Sequence, residues 1–392
     1  MALIKPDAAS FAKIKVLGIG GGGGNVLNSM IEGNKIKGVE FIAINTDCQA
    51  LLANQASTKI QIGKDLTRGL GSGGNPEIGR QAAEESRDII REYLAETDMV
   101  FLAGGMGGGT FTGGAPIIAE VAKEIGALTI AVTTRPFAFE GTKRRVIAEE
   151  GIEDLKDKVD TLIVIPNQKI MEVVDRKMTL LEAFKIVDSV LNQGVQGISE
   201  IITVPGLINV DFADVKAIMK DAGSSLLGIG TGVGENRAQI AAKAAIYSPL
   251  LDISIEGAKG ILFNITGGPD LTMFEVEEAA RLISESSDAD ANIIFGATID
   301  ETMTDQIKII VIATGFDEAK MRLARMMNKP KPVVEPQGIV SEIPEEKISK
   351  IDLEEKEPEE ELPEDEFGEE FDIPTFLRQG KWKEVKNERG TT

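Results

Sequence analysis

This chain of 392 residues contains no histidine, one cysteine (Cys48) and one tryptophan (Trp382). Without histidine there can be no serine–histidine triad, no histidine general base and no histidine metal ligand. A single cysteine excludes an internal disulfide and a cysteine-based zinc site, and it suits a reducing cytoplasm. No apolar run is long enough to span a bilayer, and the first residues show no signal-peptide pattern. Positive charge is scarce as well: 42 Lys and Arg face 63 Asp and Glu, a net charge of −21. So acidic a chain lacks the basic face that phosphate backbones favour, and nucleic acid is not expected as a partner. Any catalysis must rest on carboxylates, Lys or Arg, hydroxyls, backbone amides or a bound metal.

What is present is an apolar content of 42 %, enough for a sizeable core, and a length that allows two domains and a tail. β-rich runs at Ile14–Leu17, Phe41–Asn45, Lys59–Ile62, Met99–Leu102, Leu128–Thr133 and Thr161–Ile165 alternate with helical stretches such as Pro76–Leu94 and Pro116–Ile125. This rhythm predicts an α/β fold with a doubly wound, Rossmann-like parallel sheet, whose ligands sit beyond the carboxyl ends of the strands. Apolar residues spaced three to four apart predict one long helix over Met178–Thr203. A loop at 205–214 then leads into a second, α+β domain. The expected divisions are 1–177, a central helix 178–203, 204–316, a linker 317–370 and a terminal segment 371–392. Ser341 to Phe371 carries −12 of the net charge and Asp372 to Thr392 carries +2, leaving −11 for the body. The proline-punctuated acidic stretch reads as a disordered, self-repelling linker.

Glycine collects after the strands. "GIGGGGGN" (Gly18–Asn25) follows the first, and "GGMGGGTFTGGAP" (Gly104–Pro116) follows the fourth, with glycine at seven of its thirteen positions. One glycine per turn would serve geometry alone. Runs this dense bring backbone N–H groups against phosphate without a β-carbon in the way, beside a helix N-terminus. The first loop satisfies G-x-G-x-x-G through Gly18, Gly20 and Gly23, and Asp47 ends the next strand, where a dinucleotide fold holds ribose. An NAD-dependent oxidoreductase is therefore one reading. A second, richer loop argues instead for one polyphosphate wrapped from two sides, with Thr110 and Thr112 adding hydroxyls and Pro116 in the first turn of the next helix. No G-K-[ST] ends either loop, so neither is a P-loop.

Together with "RPFAFEGTKRR", "IPNQKI" and "GLINVDFADV", these loops resemble the FtsZ family, the tubulin-like cell-division GTPases, from about Lys13 to Phe316 in unbroken order. The resemblance implies a tubulin-like fold and a protein that hydrolyses GTP to GDP on assembling head to tail. Gly21, Gly22, Gly23, Gly24 and Asn25, with Gly107, Gly108, Gly109, Thr110 and Phe111, would cradle the phosphates. Mg²⁺ would be held mainly by phosphate oxygens and water, with no protein metal site. Thr134 and Pro136 would line the sugar pocket, and Glu140 and Arg144 would face ribose and phosphate. Asn167 and Asp188 would read guanine, and Phe184 would stack on it. From the residues alone, Glu140 and Arg144 are equally a solvated helix-start pair, Asp188 an exposed helix residue and Phe184 a core residue.

Asp211 and Asp214 lie three apart at a helix start, with Asn209 just before. They serve capping and the helix dipole; the resemblance adds that this loop would meet the neighbouring subunit's nucleotide and polarise the attacking water. One departure stands out: Phe111 occupies a position that is glycine in the family pattern. If that position has φ > 0, phenylalanine costs on the order of 1–2 kcal/mol, and a Phe111→Gly change would tighten binding or speed turnover. A non-hydrolysing structural relative is the reading this departure supports. Near the end, "DIPTFLR" resembles the family's partner peptide. Asp372, Ile373, Pro374, Phe376 and Leu377 would form a capped helical turn with one apolar face for a membrane-tethering adaptor such as FtsA or for division regulators. The location implied is cytoplasmic, at the division site on the inner membrane face.

Overall fold

The computed structural model describes residues 12–316 except 34, 35, 37, 174–176, 205, 209, 249, 250, 252 and 253. Asn209, the linker and Asp372 to Leu377 lie outside the described residues. Ten strands form one sheet: β1 (Ile14–Ile19), β2 (Val39–Asn45), β3 (Thr58–Gln61), β4 (Met99–Gly105), β5 (Leu128–Arg135), β6 (Thr161–Pro166), β7 (Gly223–Val233), β8 (Gly260–Gly267), β9 (Asn292–Ile299) and β10 (Gln306–Thr314). Their order is 3-2-1-4-5-6-7-10-8-9. The first six strands are parallel throughout. Strand order reverses between β1 and β4, which pair directly, and the two glycine loops leave these same two strands. That is the switch point at which doubly wound sheets open a crevice.

Helices cover both faces of this half. One face carries α1 (Gly20–Gly33), α2 (Cys48–Ala53), α9 (Leu180–Thr203) and α10 (Phe212–Met219), packed on Ile14, Val16, Phe101 and Ile130. The other carries α4 (Pro76–Glu85), α5 (Arg87–Leu94), α6 (Thr110–Glu124) and α7 (Thr142–Lys156), packed on Leu17, Ile19, Val100 and Leu102. Successive strand residues thus serve opposite faces, as the pleat requires. Short helices α3 (Lys64–Thr67) and α8 (Asn167–Val173) follow β3 and β6. β7 pairs with β6 at only three positions and then runs antiparallel to β10, where α11 (Arg237–Ile246) and α12 (Met273–Glu285) bury a third core.

Three expectations change in detail. The segment Pro76–Leu94 is two helices that meet at Ser86, whose hydroxyl accepts from Gly63 N–H at 3.3 Å. The long helix starts at Leu180, because Thr179 and Glu182 form a reciprocal cap. Pro116 lies inside α6 rather than in its first turn, since the helix already begins at Thr110.

Candidate functional site

Segments that leave the carboxyl edge of the parallel strands surround an open pocket. Gly22 and Asn25 come from α1, and Gly105 and Met106 from the end of β4. Thr134 lies at the end of β5 and Pro136 just after it, Glu140 and Arg144 flank the start of α7, Asn167 opens α8, and Phe184 and Asp188 lie on α9. Residues as far apart in sequence as Gly22 and Asp188 meet here because β1, β4, β5 and β6 are neighbours pointing the same way.

Two polar groups in this pocket have no partner among the described residues. Asn167 is 4 % exposed, and its Oδ1 is buried without a hydrogen bond. Asp188 makes no hydrogen bond or ion pair with them, and burial pushes its carboxyl up to about 6. Leaving such groups unmatched is costly unless a ligand supplies the donors. Both can accept, so the ligand they suit presents adjacent N–H groups at its edge, as guanine does and adenine does not. Phe184 stands on the pocket wall with 38 % of its surface open, its ring perpendicular to that of Phe137 at 5.4 Å, while Phe137 stacks on Phe139 at 5.0 Å. The ring is thus packed on one side and exposed on the other, so Phe184 is not a core residue. Glu140 and Arg144 pair at 2.9 Å, and the other Glu140 oxygen accepts from Phe137 N–H at 2.8 Å. They are a helix-start pair and pocket lining at once.

Of the glycines in the two loops only Gly22 and Gly105 line this pocket; Gly21, Gly23, Gly24 and the stretch Gly107 to Phe111 do not. Gly23 is required by close packing, because a β-carbon there would overlap the carbonyl of Ala103 on β4. That contact sets the N-terminus of α1 directly over the sheet edge. Gly21 and Gly108 face open space. The N–H groups of Gly109 to Thr112 precede the first helical bond of α6, from Gly113 N–H to Gly109 at 3.0 Å. Three details differ from the sequence-based expectation. Gly107 N–H is used internally, by Thr112 Oγ1 at 3.0 Å. The Thr110 hydroxyl is buried against Thr46 Oγ1 at 2.8 Å and Ser72 Oγ at 3.1 Å. Phe111 has no left-handed φ: it sits in α6, 3 % exposed, with its ring in the core over Gly104. The backbone strain inferred for this position is absent, because the helix begins before it.

Ser72 belongs to a third glycine loop that was not singled out from the sequence. Gly69, Gly71, Gly73 and Gly74 all have positive φ, and Asn75 then caps α4 with Pro76 at its start. The stretch "RGLGSGGNP" has the same composition as the other two loops and could have been recognised by it. Asp47 is occupied differently from a dinucleotide fold. Its Oδ1 accepts from Gln49 N–H (2.8 Å) and Ala50 N–H (3.3 Å) and caps α2.

Asp211 and Asp214 are not in this pocket. Asp211 caps α10 and accepts from Asp214 N–H at 2.8 Å; both acids are exposed. α9 carries the chain away from the pocket, its 24 residues spanning about 36 Å. α10 then closes on the opposite edge, where Thr161, the first residue of β6, donates to the carbonyl of Met219. The last residue of the same strand, Pro166, adjoins Asn167 in the pocket. Among the described residues no cluster of three or more metal-ligating side chains occurs, and no helix is long and apolar enough to cross a membrane.

A parallel sheet with glycine loops on both sides of its switch point, a long helix behind them and an open pocket define the nucleotide-binding module of the tubulin class. Residues 13–175 match the Tubulin/FtsZ family GTPase domain, and 223–317 match the FtsZ family C-terminal domain. An empty FtsZ dimer of M. jannaschii is 48 % identical, with a TM-score of 0.75 over 79 % of this chain and 89 % of that one. A tryptophan-to-tyrosine point mutant of M. jannaschii FtsZ is 49 % identical, with a TM-score of 0.75 over 78 % and 92 %. CetZ2 from Haloferax volcanii, solved as a GTPγS-bound protofilament, shares the fold at 21 % identity, with a TM-score of 0.67 over 80 % and 98 %. The chain belongs to the FtsZ family.

Proposed function

We propose that this chain is a GTP-dependent polymerising cell-division protein, whose head-to-tail filaments form a scaffold or contractile ring at the division site. The observation that carries this reading is the separation of its functional groups. The unpartnered Asp188 and Asn167 mark a base pocket at one edge of the sheet, and the exposed Asp211 and Asp214 sit at the other. One subunit cannot bring these edges together; a second copy stacked end to end can. The M. jannaschii relative is an FtsZ dimer, which supports such self-association.

In this reading Asp188 accepts from two guanine N–H groups and Asn167 fixes the base edge. Phe184 lies on the base, and Glu140 and Arg144 border the sugar and phosphates. The N-termini of α1 and α6 stabilise phosphate charge through unshared N–H groups. Mg²⁺, for which no side chain is assigned, would supply charge neutralisation at the phosphates. Asp211 and Asp214 of the next subunit orient the attacking water and accept its proton. The NAD-dependent reading is disfavoured by membership of a GTPase family, and Asp47 already uses one oxygen in the α2 cap. The non-hydrolysing reading loses its basis, because Phe111 is a core residue.

GTP turnover per subunit, measured against protein concentration, tests the proposal. It should rise steeply above an assembly threshold. A constant rate across a wide dilution series would overturn assembly-dependent hydrolysis.

A further inference from the structure

The first glycine loop has a second, open cleft on its other flank, between α1 and the ends of β2 and α2. Gly18 and Gly20 of the G-x-G-x-x-G pattern line this cleft, not the base pocket. Its walls are apolar, from Ala43, Ile44, Leu51 and Ala53, and no charged side chain borders it. Its polar groups are asparagine amides. Asn45 is 6 % exposed; its Oδ1 accepts from Asp47 N–H at 3.2 Å, while its Nδ2 has no partner among the described residues. Asn28 Oδ1 is held by Gln55 N–H at 2.8 Å, which leaves its Nδ2 as a further donor. The far wall is fixed, because Asn54 donates to Gly24 and accepts from Ala56 N–H, both at 2.8 Å.

We infer that this cleft binds the second nucleoside of a dinucleoside polyphosphate whose guanosine occupies the base pocket. This rests on the guanine-nucleotide reading above. A cleft with apolar walls, amide donors and no charge suits an uncharged, acceptor-bearing ring rather than a phosphate or carboxylate. The two cavities share Asn25 and lie on either side of the α1 N-terminus. What crosses that N-terminus is favoured when it is anionic. A nucleoside, a polyphosphate and a nucleoside, in that order, is the ligand that meets all three conditions.

The test compares adenosine–guanosine tetraphosphate with guanosine tetraphosphate on the full chain by equilibrium binding. The two share a phosphate chain, and the second nucleoside lowers the charge of the first compound. Electrostatics alone would therefore weaken its binding, whereas the cleft should tighten it by about tenfold. Asn45→Leu should remove that advantage and leave guanosine tetraphosphate affinity unchanged. Should Asn45→Leu fail to fold, Ala53→Trp at the exposed rim fills the cleft without entering the core and should give the same loss. Equal affinity of the two ligands, or an advantage that survives both variants, overturns the inference. Failure of both ligands to bind would instead remove the guanine-nucleotide reading on which it depends.

Discussion

The ring of Phe111 lies directly over Gly104, so closely that a β-carbon on Gly104 would overlap the ring carbons. This pairs a large side chain on α6 with an empty site on β4. Phe111→Gly should therefore open a cavity beneath the second glycine loop rather than restore a glycine turn. The expected loss is about 3–5 kcal/mol of stability, against about 1 kcal/mol for Phe111→Leu. Denaturant unfolding of the two variants checks it; a Phe111→Gly protein as stable as the parent would contradict the packing.

Asp188→Asn should stabilise the nucleotide-free protein at pH 7 while removing guanine selectivity. The folded-state carboxyl titrates near 6 instead of near 3.8, so ionisation disfavours the fold. That cost is absent below pH 4 and complete above about pH 6. Its removal is worth about 1–3 kcal/mol at neutral pH. The amide cannot accept from both guanine N–H groups, so preference for GTP over ITP should collapse. Thermal melts and paired binding isotherms give the two readouts.

The same group makes nucleotide affinity depend on acid. Ionised Asp188 accepts two hydrogen bonds, and its protonated form cannot. GTP affinity should fall by about tenfold per pH unit below about pH 6. Glu140 and Arg144, paired in the same pocket, also face the ligand. Asp188→Asn must therefore flatten the profile for the dependence to belong to Asp188.

Asp211→Asn and Asp214→Ala should bind GTP normally as isolated subunits and lose turnover in assembled protein. Asparagine at 211 keeps the α10 cap, which alanine would forfeit at about 1 kcal/mol. Weakened GTP binding by either dilute variant would place the acids in the pocket of their own subunit.

Deleting residues 372–392 should leave GTP turnover and polymerisation near those of the full chain. If this segment binds a membrane-tethering adaptor, as the family resemblance implies, recruitment to vesicles carrying that adaptor should be lost. Co-sedimentation with such vesicles checks this, and retained recruitment would refute the tether.

The sequence by itself determined the parallel half of the sheet, because strands buried on both faces read as continuous apolar runs and each is punctuated by turn residues. It also identified two of the three glycine loops by their density, although close packing, as at Gly23 and Gly104, accounts for part of that density. β7 escaped notice for a physical reason. Gly228, Gly230 and Gly232 alternate along it so that α11 can lie against its backbone, and glycine carries no hydrophobic signal. Only the tertiary structure decided what each polar group does. Asp47 and Asp188 are the same residue type, yet one caps a helix and the other stands unpartnered in a pocket. Thr110 and Thr112 turn their hydroxyls inward, and Phe111 joins the core. Spacing along the chain records which groups are available. Which of them remain unmatched, and so await a ligand, depends on neighbours contributed by distant strands.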